Sequence, residues 1–194
     1  MHKIYTSEGL VLNSRGVGEK NTLVTIFSKE LGIVHAKAIS ARMAKGKLKG
    51  HIVPYSLGAY TLVRGKEGWR LIQANSKLNA LSSLTTLSKK RIFVRTIKLV
   101  QKMSGFEPEV KLFNCLISGF NTLINIDDYL LKTFEAVLVA RVLFILGYMS
   151  FSELPESLND FEDFSDTTLI DLKHHLKELV LHINEGLQES QLSN

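Results

Sequence analysis

Five of the thirteen residues from Lys37 to Lys49 are basic: Lys37, Arg42, Lys45, Lys47 and Lys49. Cations at this density on a connecting segment can track the phosphates of a nucleic-acid strand, and Gly46 and Gly50 are read as points that loosen the backbone there. A second basic set, Arg91, Arg95, Lys98 and Lys102, follows the spacing i, i+4, i+7, i+11. At 100° per helical residue these four fall within roughly 60° of one another. The one acidic residue between Lys66 and Glu107 is Glu67, so the stripe has no carboxylate partner along its own helix. Like charges held on one face repel, and a ligand of opposite charge offsets that repulsion. Tyr5, Tyr55, Tyr60 and Trp69 lie in the first 78 residues, outside both basic sets. They are read as core or rim packing rather than as platforms for stacked bases.

Other chemistries find little support. Gly16-Val17-Gly18-Glu19-Lys20 lacks the spacing and the terminal Lys-Ser/Thr of a phosphate-binding loop. His175 and His182 can share a helix face, but with only Asp171 and Glu178 nearby they read as polar-face histidines, not metal ligands. Cys115, the single cysteine, sits among Phe113, Leu116 and Ile117 and reads as packing. No nucleophile, base and orienting group stand at recognisable spacing. The expectation is a protein that is not an enzyme and needs no cofactor or metal.

The charge distribution agrees. Net charge is +5 over 194 residues, unevenly placed. Residues 1–80 hold 13 Lys and Arg against 4 Asp and Glu; residues 81–106 add 6 basic residues and none acidic, which makes +15 to that point. Residues 107–194 hold 5 basic and 15 acidic residues, a charge of −10. A basic N-terminal part of this size points to a polyanion, of which nucleic acid is the commonest. With 45% apolar and 22% charged residues the chain is an ordinary globular one. The longest apolar run, Val137 to Leu146, is interrupted by Arg141 and too short for a bilayer. The N-terminus has no secretion-signal run, so the expected setting is soluble, cytoplasmic and nucleoid-associated, with no membrane partner.

Two kinds of element must position the basic residues. Leu10–Leu12, Thr22–Phe27, Gly32–Ala38, Tyr55–Val63 and Gly68–Ala74 read as short strands, with turns at Gly16–Gly18, Lys29–Gly32 and Arg64–Gly68. Five strands in under 80 residues suggest a small closed barrel: an OB-fold by count and size, with an SH3-like barrel as the alternative. Ser76–Ser88 reads as a passage, after which apolar residues take helical spacing. One helix ends at Ser104-Gly105, and Pro108 suits the first turn of the next. Asp127-Asp128 caps a third, apolar nearly all round and ending at Gly147. Ser165 caps a final helix through Leu187. The expected domains are a β-barrel over 1–78 and a helical domain over 79–194.

The residues also resemble the RecO family of bacterial recombination mediators. The likeness begins at Glu8-Gly9-Leu10-Val11-Leu12 with Arg15 and Gly18-Glu19, and runs through Leu23–Ser28 to Gly32. Its most telling part is Ala41-Arg42, then Leu48-Lys49-Gly50, then Pro54-Tyr55-Ser56, in the family's order and spacing. Glu107, Leu112-Phe113, Phe134-Glu135 and Leu146-Gly147-Tyr148 match the helical domain, so the likeness covers about residues 4–150. It implies an OB-fold followed by helices, binding of single- and double-stranded DNA, and annealing of complementary strands. It also implies contacts with the single-strand DNA-binding protein and with RecR, assisting RecA loading. Arg42 and Lys49 carry over by motif; the remaining basic positions rest on the charge pattern. Ile39-Ser40 stands where the family often has Lys-Gly, and Lys37 compensates in charge. The cysteine zinc module of many members has no counterpart, since no cysteine follows Cys115.

The expected function is therefore a DNA-binding recombination mediator. A repair adaptor with a structural barrel, docking partners on its apolar 128–148 helix, is one alternative; an OB-type RNA-binding protein, which would read the 2′-hydroxyl, is the other.

Overall fold

The computed structural model describes residues 3–43, 46–105, 107–150 and 154–192. The chain divides into two compact units, Met1–Ser83 with Gly105–Val110, and Leu84–Ser104 with Lys111–Asn194.

The first unit is an OB-fold: a closed five-stranded barrel in the order β1-β2-β3-β5-β4. Its strands are β1 (Ile4–Val17), β2 (Asn21–Ser28), β3 (Gly32–Ala38), β4 (Ser56–Gly65) and β5 (Gly68–Asn79). All pairings are antiparallel except β3 with β5, where Ala36, Lys37 and Ala38 lie beside Trp69, Arg70 and Leu71. Val24, Ile26, Val34, Ala36, Leu62 and Leu71 alternate inward and fill the interior, while their neighbours, apart from buried Phe27, are half-buried or exposed.

Two strands are longer than their apolar patterns predict. The run Leu10–Leu12 is the centre of a fourteen-residue β1 that takes in Gly16 and Val17, read from sequence as a turn. β5 continues to Asn79, so the expected passage from Ser76 begins as strand. Both extensions are set by hydrogen bonding to a partner strand: β1 runs along β4 with its first half and β2 with its second, and Ser76 and Leu78 pair with Gly58 and Leu57. A bulge between Val11 and Asn13 also breaks the alternation, which is why Leu10, Val11 and Leu12 are all buried.

Closure brings backbones very near each other. Gly9 and Gly58 are partners across β1 and β4. A Cβ on Gly9 would lie 2.7 Å from Ile26 Cγ2; one on Gly58 would lie 2.6 Å from Ser76 Cα and nearer still to the Asn75 carbonyl oxygen. The second obstacle is backbone and cannot swing aside.

The second unit contains α1 (Leu87–Met103), α2 (Val110–Asn125), α3 (Leu131–Ile145), α4 (Asp166–Lys173) and α5 (Leu176–Leu192). Thr86 caps α1 by accepting from the Lys89 backbone N–H. Pro108 stands two residues ahead of α2 rather than in its first turn. The Asp127 side chain caps nothing: a 3₁₀ turn over Asp128–Leu130 leads into α3 instead. Ser165 does cap, but the single final helix expected there is two, α4 and α5. The His174 and His175 N–H groups bond back three residues to Asp171 and Leu172, tightening the last turn and redirecting the chain. The break allows Leu169 and Leu172 of α4, and Leu179 and Ile183 of α5, all to be buried.

α3 is the centre of this unit. Ten of its fifteen residues are buried, so its apolar surface is spent on the core and is not a docking face. Arg141 is fully buried on it. Its guanidinium donates to the carbonyls of Leu158 (3.2 Å), Ser157 (3.0 Å) and Asp163 (2.6 Å), and lies over the Phe164 ring at 4.6 Å. One side chain thus holds the segment 157–164 against the bundle. Among the described residues no helix is long and apolar enough to cross a membrane.

Two substitutions test this frame. Gly58→Ala is expected to lose about 1–3 kcal/mol in urea unfolding, whereas Gly65→Ala, whose Cβ meets only Gly68 O at 3.6 Å, should stay near wild type. Arg141→Leu takes the donor from one buried and two part-buried carbonyls and should cost about 3–5 kcal/mol, against less than about 1 kcal/mol for Arg95→Leu at an exposed position.

Candidate nucleic-acid interface

The basic segment after β3 is anchored by its apolar residues. Ala41 and Ile52 are buried in the barrel core and Leu48 packs against it. Arg42, Lys47 and Lys49, between these anchors, are all exposed. Lys45 lies outside the described residues. The backbone is a succession of tight bonds: Met43 N–H to Ser40 O (3.1 Å), Gly46 N–H to Met43 O (2.9 Å), Lys49 N–H to Gly46 O (3.2 Å) and His51 N–H to Leu48 O (3.0 Å). Gly46 therefore does not loosen the segment as expected. A Cβ there would lie 2.8 Å from both the Ser40 and Ala41 carbonyls, so glycine is needed for close packing. Ser40 holds a φ of 56° and donates its N–H to Asn21 Oδ1 at 3.1 Å.

Arg42 is tied to the β1–β2 turn at two points. Its backbone N–H donates to Lys20 O at 3.0 Å and its guanidinium to Gly18 O at 2.6 Å. The side chain crosses Gly16, where a Cβ would sit 2.9 Å from the guanidinium. Arg42 and Lys49 line one groove of about 420 Å³ together with Ser14, Gly16, Thr22 and Pro54. The two cations matched by motif thus share a single concave site.

At the far side of this cluster His51 is fixed by β5. The Ser76 N–H donates to His51 Nδ1 at 3.2 Å and the Ser76 hydroxyl lies 2.9 Å from the same atom, so Nδ1 acts as the acceptor. The Tyr60 hydroxyl reaches the carbonyls of Ser56 (3.0 Å) and His51 (3.2 Å) from inside the barrel, and burial pushes its phenol up. Tyr60 is therefore core. Tyr5 and Trp69 are half-buried and meet edge to face at 5.3 Å between ring centroids.

Lys37 stands on the outer face of β3, exposed, with Arg70 as its neighbour on β5. That parallel pairing joins residues far apart in the chain, and no local pattern announces it. Lys37 and Arg70 line a second groove, of about 680 Å³, with Lys66 and Trp69. The charge pattern selected Lys37 alone of these four.

In the helical unit Arg91, Arg95, Lys98 and Lys102 are all exposed on α1, opposite buried Ile92, Phe93, Thr96, Ile97 and Val100. The stripe is not without a partner, however. Arg95 Nη1 lies 3.4 Å from Glu135 Oε1, a carboxylate that α3 supplies. Lys89, counted in the basic total, is buried and donates to Ile124 O at 3.0 Å. Its position three and four residues before Ile92 and Phe93 places it on the apolar face, a signal present in the sequence.

The alternative chemistries gain nothing from the geometry. Burial pushes the Cys115 thiol up to about 12, out of the range of a nucleophile at neutral pH. His175 and His182 each face a glutamate one turn on, Glu178 at 3.5 Å and Glu185 at 3.3 Å. Among the described residues no three His, Cys, Asp or Glu side chains converge as a metal site would require. Asp163 is held below the usual carboxylate range, first by the Thr168 hydroxyl and then by the Ser165 backbone N–H, as a loop-forming group.

Comparison with known proteins converges on one family. Residues 1–77 match the model of the recombination protein O N-terminal domain. The chain is 28% identical over 117 residues to the DNA repair protein RecO of Gloeothece citriformis, covering 60% of this chain and 41% of that one. It is 35% identical over 77 residues to that of Synechocystis, covering 40% and 28%. With that of Desulforamulus reducens it shares 25% over 142 residues, covering 71% and 54%. The matches span about half, or less, of these relatives' own length. The barrel that carries Arg42 and Lys49 is thus the part of this chain that is similar to the N-terminal domain of the RecO family.

Proposed function

We propose that this protein acts in recombinational DNA repair as a mediator without catalytic activity, which binds single-stranded DNA on its barrel. The observation that carries the proposal is the groove shared by Arg42 and Lys49, the two basic positions at family-matched sites, on an anchored segment of a strongly basic domain. Phosphates on the exposed cations supply affinity without sequence preference. The relatives are named DNA repair proteins, which supports DNA as the polyanion. In this reading double-stranded DNA binds as well, complementary strands are annealed, and RecR and the single-strand DNA-binding protein are partners in helping RecA load. The adaptor alternative loses its motive once α3 is buried.

Engagement of about five to eight cations predicts that log K for a single strand falls against log salt with a slope of roughly −3.5 to −5.5. A slope near zero, or no binding at low salt, would remove the electrostatic mechanism.

Annealing requires that two mutually repelling strands be neutralised. Changing Arg42, Lys45, Lys47 and Lys49 together to Ala should weaken single-strand binding and abolish annealing, with thermal unfolding little changed. Changing Arg91, Arg95 and Lys98 should slow annealing more than it weakens binding of one strand. A folded quadruple variant that anneals at the wild-type rate would show that the surface is elsewhere.

A further inference from the structure

The groove beside Trp69 is built differently from the one beside Arg42. Its walls carry isoleucines that are open to solvent: Ile4 is 62% exposed, Ile39 44% and Ile72 46%. Around them stand the exposed cations Lys37, Lys66 and Arg70, with Glu67 the carboxylate among the lining residues. Among the described residues none of these three cations is in an ion pair. Trp69 closes one side, with the Arg64 guanidinium 5.8 Å from its ring centre and Tyr5 against its edge. The volume, about 680 Å³, lies in the range that accommodates small ligands.

Apolar walls with a cationic rim match the two halves of a nucleotide, a flat base that leaves water and a phosphate that needs charge. The groove is also close to the phosphate site along the chain. Ile39 lines one and Ala41 and Arg42 line the other, so no more than about 11 Å of extended backbone separates them.

We infer that the Trp69 groove is a base-binding subsite, taking an unstacked nucleobase of the strand whose phosphates lie on Arg42 and Lys49, with Lys37, Lys66 and Arg70 on the adjoining phosphates. This rests on the single-strand reading of the barrel and adds to it a place where bases, and not only phosphates, are held. A duplex keeps its bases stacked and offers none to the groove, so the subsite favours single strands over double.

Trp69 is the one tryptophan of the chain, so its emission reports on the groove directly. The 194-residue chain is titrated with a twelve-residue thymidine oligonucleotide and with an abasic phosphodiester of the same length. Binding is followed by anisotropy of a label on the strand and occupancy by indole quenching. The thymidine strand is expected to quench Trp69 and bind about tenfold more tightly than the abasic one. Ile72→Glu should abolish the quenching and lower thymidine binding to the abasic level; Ile39→Glu, on the segment after β3, gives the same test should the first variant fold poorly. Equal affinity and equal quenching for both strands, with binding evident by anisotropy, would refute the base subsite and leave the phosphate site standing. No anisotropy change with either strand would refute both.

Discussion

In a closed five-stranded barrel every strand pairs along both of its edges, and here β1 does so by giving one half to each neighbour. It lies against β4 from Ile4 to Leu10 and against β2 from Gly9 to Val17, so Gly9 and Leu10 are bonded on both sides. At this crossing Gly9 is crowded by Ile26 of β2 and Gly58 by the backbone of β5, so neither has room for a side chain. The bulge at Leu12 supplies the extra bend. Everything proposed for function hangs from this closure. The β1–β2 turn that receives Arg42, the parallel β3–β5 pairing that sets Lys37 beside Arg70, and the Ile52–Ser56 return that seats Lys49 exist only when the ends of the sheet meet.

The helical unit solves a different problem with a charged group. Burying Arg141 costs desolvation, and burial lowers its hold on the proton; three carbonyls, the Phe164 face and the nearby Asp160 and Asp163 offset that cost. In return an irregular segment, 157–164, acquires a fixed path. Because the side chain is fully buried and committed to these carbonyls, the cation is a structural member and contributes nothing to a polyanion surface.

Charge in this chain has to be sorted by exposure before it can be read as function. Lys89 and Arg141 are buried, and Arg95 is engaged by Glu135. Arg42 is exposed but oriented by the Gly18 carbonyl. In the proposed mode of binding, cations held near anchors at Ala41, Leu48 and Ile52 would lose less freedom than cations on a free loop.

Strand and helix character, the barrel of five short strands, the buried apolar helix and the basic loop were all legible in the residues, because alternation, helical period and charge density are local properties. Arg42 and Lys49 could be singled out by motif for the same reason. The lengths of β1 and β5 could not be read, since Ser76 to Asn79 are strand only through what β4 offers them. The break at His174-His175 was equally hidden, because it answers to the joint burial of Leu169 on α4 and Ile183 on α5 rather than to any breaker residue. The site itself divides along the same line. Which side chains are cationic is written in the chain; which of them share a groove, which are spent on carbonyls and carboxylates, and that Trp69 stands beside Arg70 and Lys37, were decided by pairings between segments dozens of residues apart, whose energy comes from closing the barrel and filling its core.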